Sequence, residues 1–190
     1  HTIRGRYGAG TIGGRAVPGY VDEEGVNPQR HTETFAQVRL AIDNWRWAGV
    51  PFLLRTGKAL GHERREIAIH FKSVPHMVFG RHIQPQSNVL KIELKPDRIM
   101  LSVNLNASGD LCDLQRIELD RTLAAEALPP YARLLLDVLE GDSMLSIRDD
   151  ETEESWRIVE PILSLWGEDR VPLAEYPAGS DGPASASSAP

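Results

Sequence analysis

Along this chain, apolar and polar positions alternate with a period of two in several short runs before any helical period appears. From Thr34 to Ile42, Ala36, Val38, Leu40 and Ile42 fall on one side and Gln37 and Arg39 on the other, which predicts a strand. Val50 to Leu54 is a short apolar strand started at a proline. Glu66 to Lys72 repeats the pattern, with Ile67, Ile69 and Phe71 inward and Glu66, Ala68, His70 and Lys72 outward. It returns at Leu90, Ile92, Leu94 and at Ile99, Leu101, Val103, Leu105, with Lys95-Pro96-Asp97-Arg98 as a hairpin turn between the two. Sequential hairpins make an antiparallel meander.

Helices come late. Pro129 or Pro130 suits a first helical position, Tyr131 to Leu139 is strongly apolar, and Gly141 fits the residue past the end. A second helix begins at Asp149 or Asp150, with Glu153 placed for a capping box and Trp156, Val159, Leu163 and Trp166 along one stripe. Pro161 is expected to kink or break it. Strands first and helices after predict an α+β domain. Residues 1–30 are rich in Gly, Pro and polar side chains and read as a lead-in loop, residues 31–176 as one domain, and 177–190 as a disordered tail without the apolar surface to offset ordering.

Length and charge narrow the function. At 190 residues with a net charge of -6, the chain lacks the clustered positive field that nucleic acid or an anionic membrane requires. No apolar run reaches the roughly 18 residues of a membrane span, and the amino terminus has no secretory pattern, so a cytoplasmic protein is expected. Cys112 is the only cysteine, and His62, His70, His76 and His82 are too scattered for a metal site. Gly8-Ala9-Gly10-Thr11-Ile12-Gly13 matches the glycine spacing of a dinucleotide fingerprint. Arg4-Gly5-Arg6-Tyr7 is not the buried strand that must precede it, and Gly14, Pro18 and Gly19 preclude the helix that must follow. The carboxylates Asp149, Asp150, Glu151, Glu153 and Glu154 fit helix capping and dipole complementarity.

The densest chemistry is the run Asp43 to Lys58, where Trp45, Trp47, Arg46, Arg55 and Lys58 surround the turn Gly49-Val50-Pro51. Arg55-Thr56-Gly57-Lys58 sets two cations at a strand end beside a glycine that lets backbone approach a ligand, a pattern that suits an anion. The same residues also fit core tryptophans with solvated or paired cations. The run closely resembles the segment that opens the larger, carboxyl-terminal domain of glucose-6-phosphate dehydrogenases. Upstream, Arg4-Gly5-Arg6-Tyr7, Gly19-Tyr20 and Thr32-Glu33-Thr34-Phe35 are similar to that family. Downstream, so are Tyr131 to Asp142, Arg148-Asp149-Asp150-Glu151 with Trp156, Pro161-Ile162-Leu163, and Tyr176-Pro177-Ala178-Gly179-Ser180.

The resemblance implies the substrate and dimerisation domain of an enzyme that oxidises glucose 6-phosphate with NADP to 6-phosphogluconolactone, opening the pentose phosphate pathway. It implies a large, mostly antiparallel sheet with helices on one face, and a homodimer or dimer of dimers through that sheet. The coenzyme and the catalytic histidine belong to the amino-terminal part of the family, so no catalytic residue is assigned here and the chain alone is expected to be inactive. Lys58 falls on the lysine that contacts glucose 6-phosphate. A second basic residue is usual five positions on, where this chain has Glu63 followed by Arg64 and Arg65. Three readings stay open there: Arg64 reaches round, a one-residue loop shift restores the register, or the turn is simply solvated. Lys95 stands where relatives often carry a substrate-contacting glutamine. The rival reading is a stand-alone interaction or regulatory module built on the same sheet.

Overall fold

A computed structural model of the chain describes residues 1–74, 85–106, 114–124, 128–144 and 146–186. It is α+β, with ten strands and two helices among the described residues and mostly antiparallel pairing. It forms two compact units, His1–Glu63 with Leu145–Pro190, and Arg64–Met144.

The first unit holds β1 (Thr2–Gly8), β2 (Gly10–Ile12), β3 (Arg15–Val17), β4 (Phe35–Ala41) and β5 (Pro51–Gly57), then, after the second unit, α2 (Asp149–Gly167) and β10 (Leu173–Pro177). Its four-stranded sheet has the order β10-β1-β4-β5, and only the β1–β10 pair is parallel. The lead-in loop expected at residues 1–30 is therefore corrected: β1 is an interior strand and β2–β3 a hairpin turning at Gly13 and Gly14, both at positive φ. Glycine hid this strand, because a Cβ on Gly5 would lie 2.6 Å from Pro183 Cγ. The backbone must come close there, and only glycine permits it. The disordered tail is corrected too. Through Ala186 the chain is ordered, with Tyr176, Ala178, Pro183 and Ala186 buried around Phe35 and Tyr7. Residues 187–190 lie outside the described residues. Tyr176 meets both Phe35 and Tyr7 edge to face, at centroid distances of 5.7 and 6.4 Å, the geometry that aromatic quadrupoles favour.

Within β4 the more buried positions are Phe35 and Gln37, on the side opposite to the expected Ala36-Val38-Leu40 row, because Phe35 is pinned between Tyr176 and the carboxyl-terminal segment. Helix α2 starts with Arg148 as its cap residue, and the Arg148 N–H donates to Glu151 Oε2 at 3.2 Å. The capping box thus uses Glu151, not Glu153. The helix also runs through Pro161 to Gly167. Arg157 and Pro161 are both exposed, so the carbonyl that loses its proline donor stays open to water. Of its apolar stripe only Trp166 is buried, and its indole N–H donates to Thr2 Oγ1 at 3.0 Å, tying α2 to β1.

The second unit holds β6 (Glu66–His70), β7 (Val89–Leu94), β8 (Asp97–Asn106), β9 (Leu114–Thr122) and α1 (Pro130–Glu140). The strands pair in sequence order as the expected antiparallel meander, with the hairpin closing at Leu94–Asp97. Helix α1 starts at a proline and ends at Gly141, in the left-handed region at φ 71°, as its pattern predicts. Both sides of β6 are exposed. Glu66, Lys91, Glu93, Arg98 and Asp120 share one face and pair across strands, with Arg98–Asp120 at 2.9 Å and Lys91–Glu66 at 3.5 Å. The aliphatic row Ile69, Leu90, Leu101, Leu119 lies on the other, where Ile67, Ile69 and Phe71, expected inward, are exposed, as is Leu119. Alternation shows which side chains share a face, not which face is covered. Among the described residues no helix is long and apolar enough to cross a membrane.

Candidate functional site

The densest run resolves into a turn and a strand. Asn44 Oδ1 accepts from the Arg46 and Trp47 N–H groups, an Asx turn that starts the loop, and Gly49 takes positive φ to re-enter β5. Trp47 stacks edge-on against Phe52, but Trp45 is 89% exposed beneath the Arg46 guanidinium and is no core anchor. At the far end of β5, Gly57 has its own structural reason: a Cβ there would sit 2.8 Å from Phe35 Cδ2. The glycine makes room for Phe35, not for a ligand. Arg55 is also engaged, lying over the Phe35 ring and donating to the Asp181 carbonyl at 2.6 Å.

Lys58 remains. Its side chain is exposed, and no ion pair to it occurs among the described residues. Its backbone is fixed on both sides. The Lys58 N–H donates to the Thr34 carbonyl at 2.8 Å, and the Lys58 carbonyl accepts from Tyr176 Oη at 2.8 Å. Ala59, at positive φ (51°), follows; its carbonyl accepts from the Gly179 N–H at 2.8 Å, and the Gly61 N–H donates to the Ser180 carbonyl at 2.9 Å. A polar chain runs behind this turn: the Tyr7 N–H donates to Thr34 Oγ1, which lies 3.0 Å from Tyr176 Oη. Tyr176 has one proton and two carbonyls in reach, Lys58 at 2.8 Å and Thr34 at 3.2 Å, and the shorter contact takes it. Burial pushes the Tyr176 hydroxyl above the usual phenol range, so it stays a donor at neutral pH. Thr34 and Tyr176 carry no charge, and no motif of theirs announces a role. Their only sequence signal is a hydroxyl-bearing aromatic beside a segment of small residues.

The three candidate cations divide between the units, Lys58 in the first and Arg64 and Lys95 in the second. In the second unit the Leu94 N–H donates to the Arg65 carbonyl at 2.7 Å, continuing the pairing of Glu66 with Glu93. Arg64 precedes Arg65 and Lys95 follows Leu94, at that end of the sheet. Both are exposed. Cys112, His76 and His82 lie outside the described residues.

The glycine-spaced segment does not fit a nucleotide. Contrary to expectation a partly buried strand, β1, does precede the glycines, but a hairpin and not a helix follows, and a Cβ on Gly10 would meet the Ala178 carbonyl oxygen at 2.0 Å. Gly10 receives the carboxyl-terminal segment of the same chain. Elsewhere in the first unit, Arg4 is buried, donating to the Val171 carbonyl and to Asp169, both at 2.8 Å, on the wall of a cavity of about 310 Å³. The Arg4 guanidinium holds the Asp169 carboxyl below the usual carboxylate range.

These features define an α+β domain on mostly antiparallel sheets, with its candidate anion ligands at strand ends and no nucleotide cradle formed by its glycine-spaced segment. The chain belongs to the glucose-6-phosphate dehydrogenase, C-terminal domain family, whose model matches residues 1–189. It is 43% identical over 98% of its length to the glucose-6-phosphate 1-dehydrogenase of Treponema pallidum, and 39% over 98% to that of Zymomonas mobilis. It spans 38% and 40% of those relatives. A solved glucose-6-phosphate dehydrogenase in complex with glucose 6-phosphate matches 96% of the chain at TM-score 0.84 and 33% identity, the chain covering 38% of it. The glucose-6-phosphate 1-dehydrogenase of Mycobacterium avium matches 97% at TM-score 0.77 and 34% identity, with 37% of it covered.

Proposed function

We propose that this chain is the substrate-binding part of an enzyme that oxidises glucose 6-phosphate to 6-phosphogluconolactone with NADP, the first step of the pentose phosphate pathway. One observation carries the reading: in a chain of this family, the exposed Lys58 ammonium stands on a turn whose backbone is held at both its N–H and its carbonyl. A compact ammonium with three rotatable donors suits a sugar phosphate rich in acceptors. Arg64 and Lys95, in the second unit, are further exposed cations of a type that suits a sugar phosphate. NADP and the general base belong to the rest of the enzyme, and this chain's residues contribute binding and orientation. The enzyme is a homodimer or dimer of dimers, and a cytoplasmic, reducing setting accords with a single cysteine in 190 residues.

Lys58→Ala in the whole enzyme tests this. A hydrogen bond to a charged group contributes about 1.5 to 3 kcal/mol, or roughly ten- to a hundredfold in affinity. The Michaelis constant for glucose 6-phosphate should rise by that factor while that for NADP stays put. An unchanged sugar-phosphate constant discards the assignment.

A further inference from the structure

Among the described residues nothing but its own backbone tethers the Lys58 side chain, so whatever fixes residues 58–61 fixes where the ammonium stands. Four backbone contacts do this, one from Thr34 and three from the segment Tyr176–Ser180. Three of the four are backbone to backbone and survive any side-chain change. The fourth, from Tyr176 Oη to the Lys58 carbonyl, depends on a single hydroxyl. That hydroxyl is not needed for packing, because the Tyr176 ring meets Phe35 and Tyr7 in T-shaped contacts that a phenylalanine ring would also make. Tyr176 is 2% exposed, and its hydroxyl donates to the Lys58 carbonyl and lies 3.0 Å from Thr34 Oγ1. Losing it would leave the Lys58 carbonyl without that partner next to Ala59, a residue already held at positive φ.

We propose that Tyr176 is a positioning residue: its hydroxyl, oriented by Thr34, holds the Lys58 turn so that the Lys58 ammonium meets the phosphorylated sugar. The role rests on the reading of Lys58 as a sugar-phosphate ligand. Tyr176 touches no substrate and acts through Lys58 alone.

Tyr176→Phe, Lys58→Ala and the double variant in the whole enzyme test it. Loss of one neutral hydrogen bond corresponds to about a three- to tenfold change. Tyr176→Phe should therefore raise the Michaelis constant for glucose 6-phosphate about three- to tenfold, with kcat and the constant for NADP within about twofold of the parent. In the Lys58→Ala background the same change should add less than about twofold, because residues acting through one another are not additive. Thr34→Val, which removes the orienting hydroxyl, should move the sugar-phosphate constant in the same direction and keeps the test open if Tyr176→Phe folds poorly. If Lys58→Ala raises the constant but Tyr176→Phe does not, or if the two effects multiply, the positioning role is wrong and the Lys58 reading stands. If Lys58→Ala changes nothing, both fall. Amide exchange on the 190-residue chain gives a readout independent of turnover. In Tyr176→Phe, Gly61 and Gly179 should exchange faster while the β8–β9 amides keep their rates. Unchanged exchange at Gly61 and Gly179 overturns the proposal.

Discussion

Adding one methyl group at Gly10 should unseat the carboxyl-terminal segment, whereas the same change two residues earlier should not. A Cβ at Gly10 would lie 2.0 Å from the Ala178 carbonyl oxygen and 2.7 Å from its nitrogen, and both are backbone atoms that cannot rotate away. Restoring ordinary contact requires the segment to move by at least about 1 Å. That displacement breaks the bond from the Thr11 N–H to the Ala178 carbonyl, now 3.1 Å, and strains the bond from the Ala178 N–H to the Gly8 carbonyl. Overpacking of this kind costs about 1–3 kcal/mol and a lost backbone hydrogen bond about 0.5–1.5 kcal/mol, so Gly10→Ala should destabilise the first unit by about 2–4 kcal/mol. At Gly8 nothing lies within 4 Å of the added Cβ, and Gly8→Ala should be neutral or stabilise by up to about 1 kcal/mol through the unfolded state. Urea unfolding followed by tryptophan fluorescence reads this unit selectively, because Trp45, Trp47, Trp156 and Trp166 all belong to it. With a slope near 2 kcal/mol per molar, the Gly10→Ala midpoint should fall by about 1–2 M. A midpoint within about 0.2 M of the parent would refute the close approach of residues 176–180 to β2. Equal losses at both positions would assign the effect to the backbone freedom of glycine instead.

Two further outcomes follow from charge and from exposed surface. Burial and a hydrogen bond to Glu23 push the Tyr7 hydroxyl up to about 12. A raised folded value means that stability is intact below pH 10, the unfolded phenol value, and is lost as pH climbs from 10 to about 12. The loss should amount to about 2–3 kcal/mol in alkaline urea titrations, and Tyr7→Phe should flatten it; an unchanged slope in that variant would refute the assignment. The aliphatic row Ile69-Leu90-Leu101-Leu119 should drive association of two copies, so the chain should sediment above its 21.1 kDa monomer mass at micromolar concentration, and Ile69→Glu with Leu119→Glu should abolish this. A parent chain that is monomeric across that range would refute it.

The parts of the fold that were legible in the sequence are those whose information is local. The hairpin at Leu94–Asp97, strands β4 to β8, and α1 between Pro130 and Gly141 all follow from alternation, a turn or a cap within about ten residues. Strands β1 and β10 were not, since their pairing joins opposite ends of the chain: Arg4 faces Leu173 and Tyr7 faces Tyr176. The glycines and arginines that this pairing needs are the residues that erase a strand pattern. Gly5 makes way for Pro183, and Arg4 is buried only because the Val171 carbonyl and Asp169 await it. A composition of Ala, Gly, Ser and Pro says that a segment cannot build a core of its own. It does not say that the segment cannot complete one already begun by Phe35 and Tyr7.

The same distinction separates the two halves of the candidate site. Lys58 was legible because a cation within a dense run of tryptophan and arginine stands out, and a family resemblance attaches to the run itself. Arg55 stood out equally by type, yet it is spent on the Asp181 carbonyl and the Phe35 ring, which no local pattern separates from ligand binding. Thr34 and Tyr176 stand in the sequence only as parts of family-like segments, because a hydroxyl acquires its role from what it faces. Here the faces are a carbonyl and another hydroxyl from chain positions as distant as 118 and 142 residues. A candidate ligand residue can therefore be read from its own charge, but the hydrogen bonds that fix its backbone have to be read from the fold.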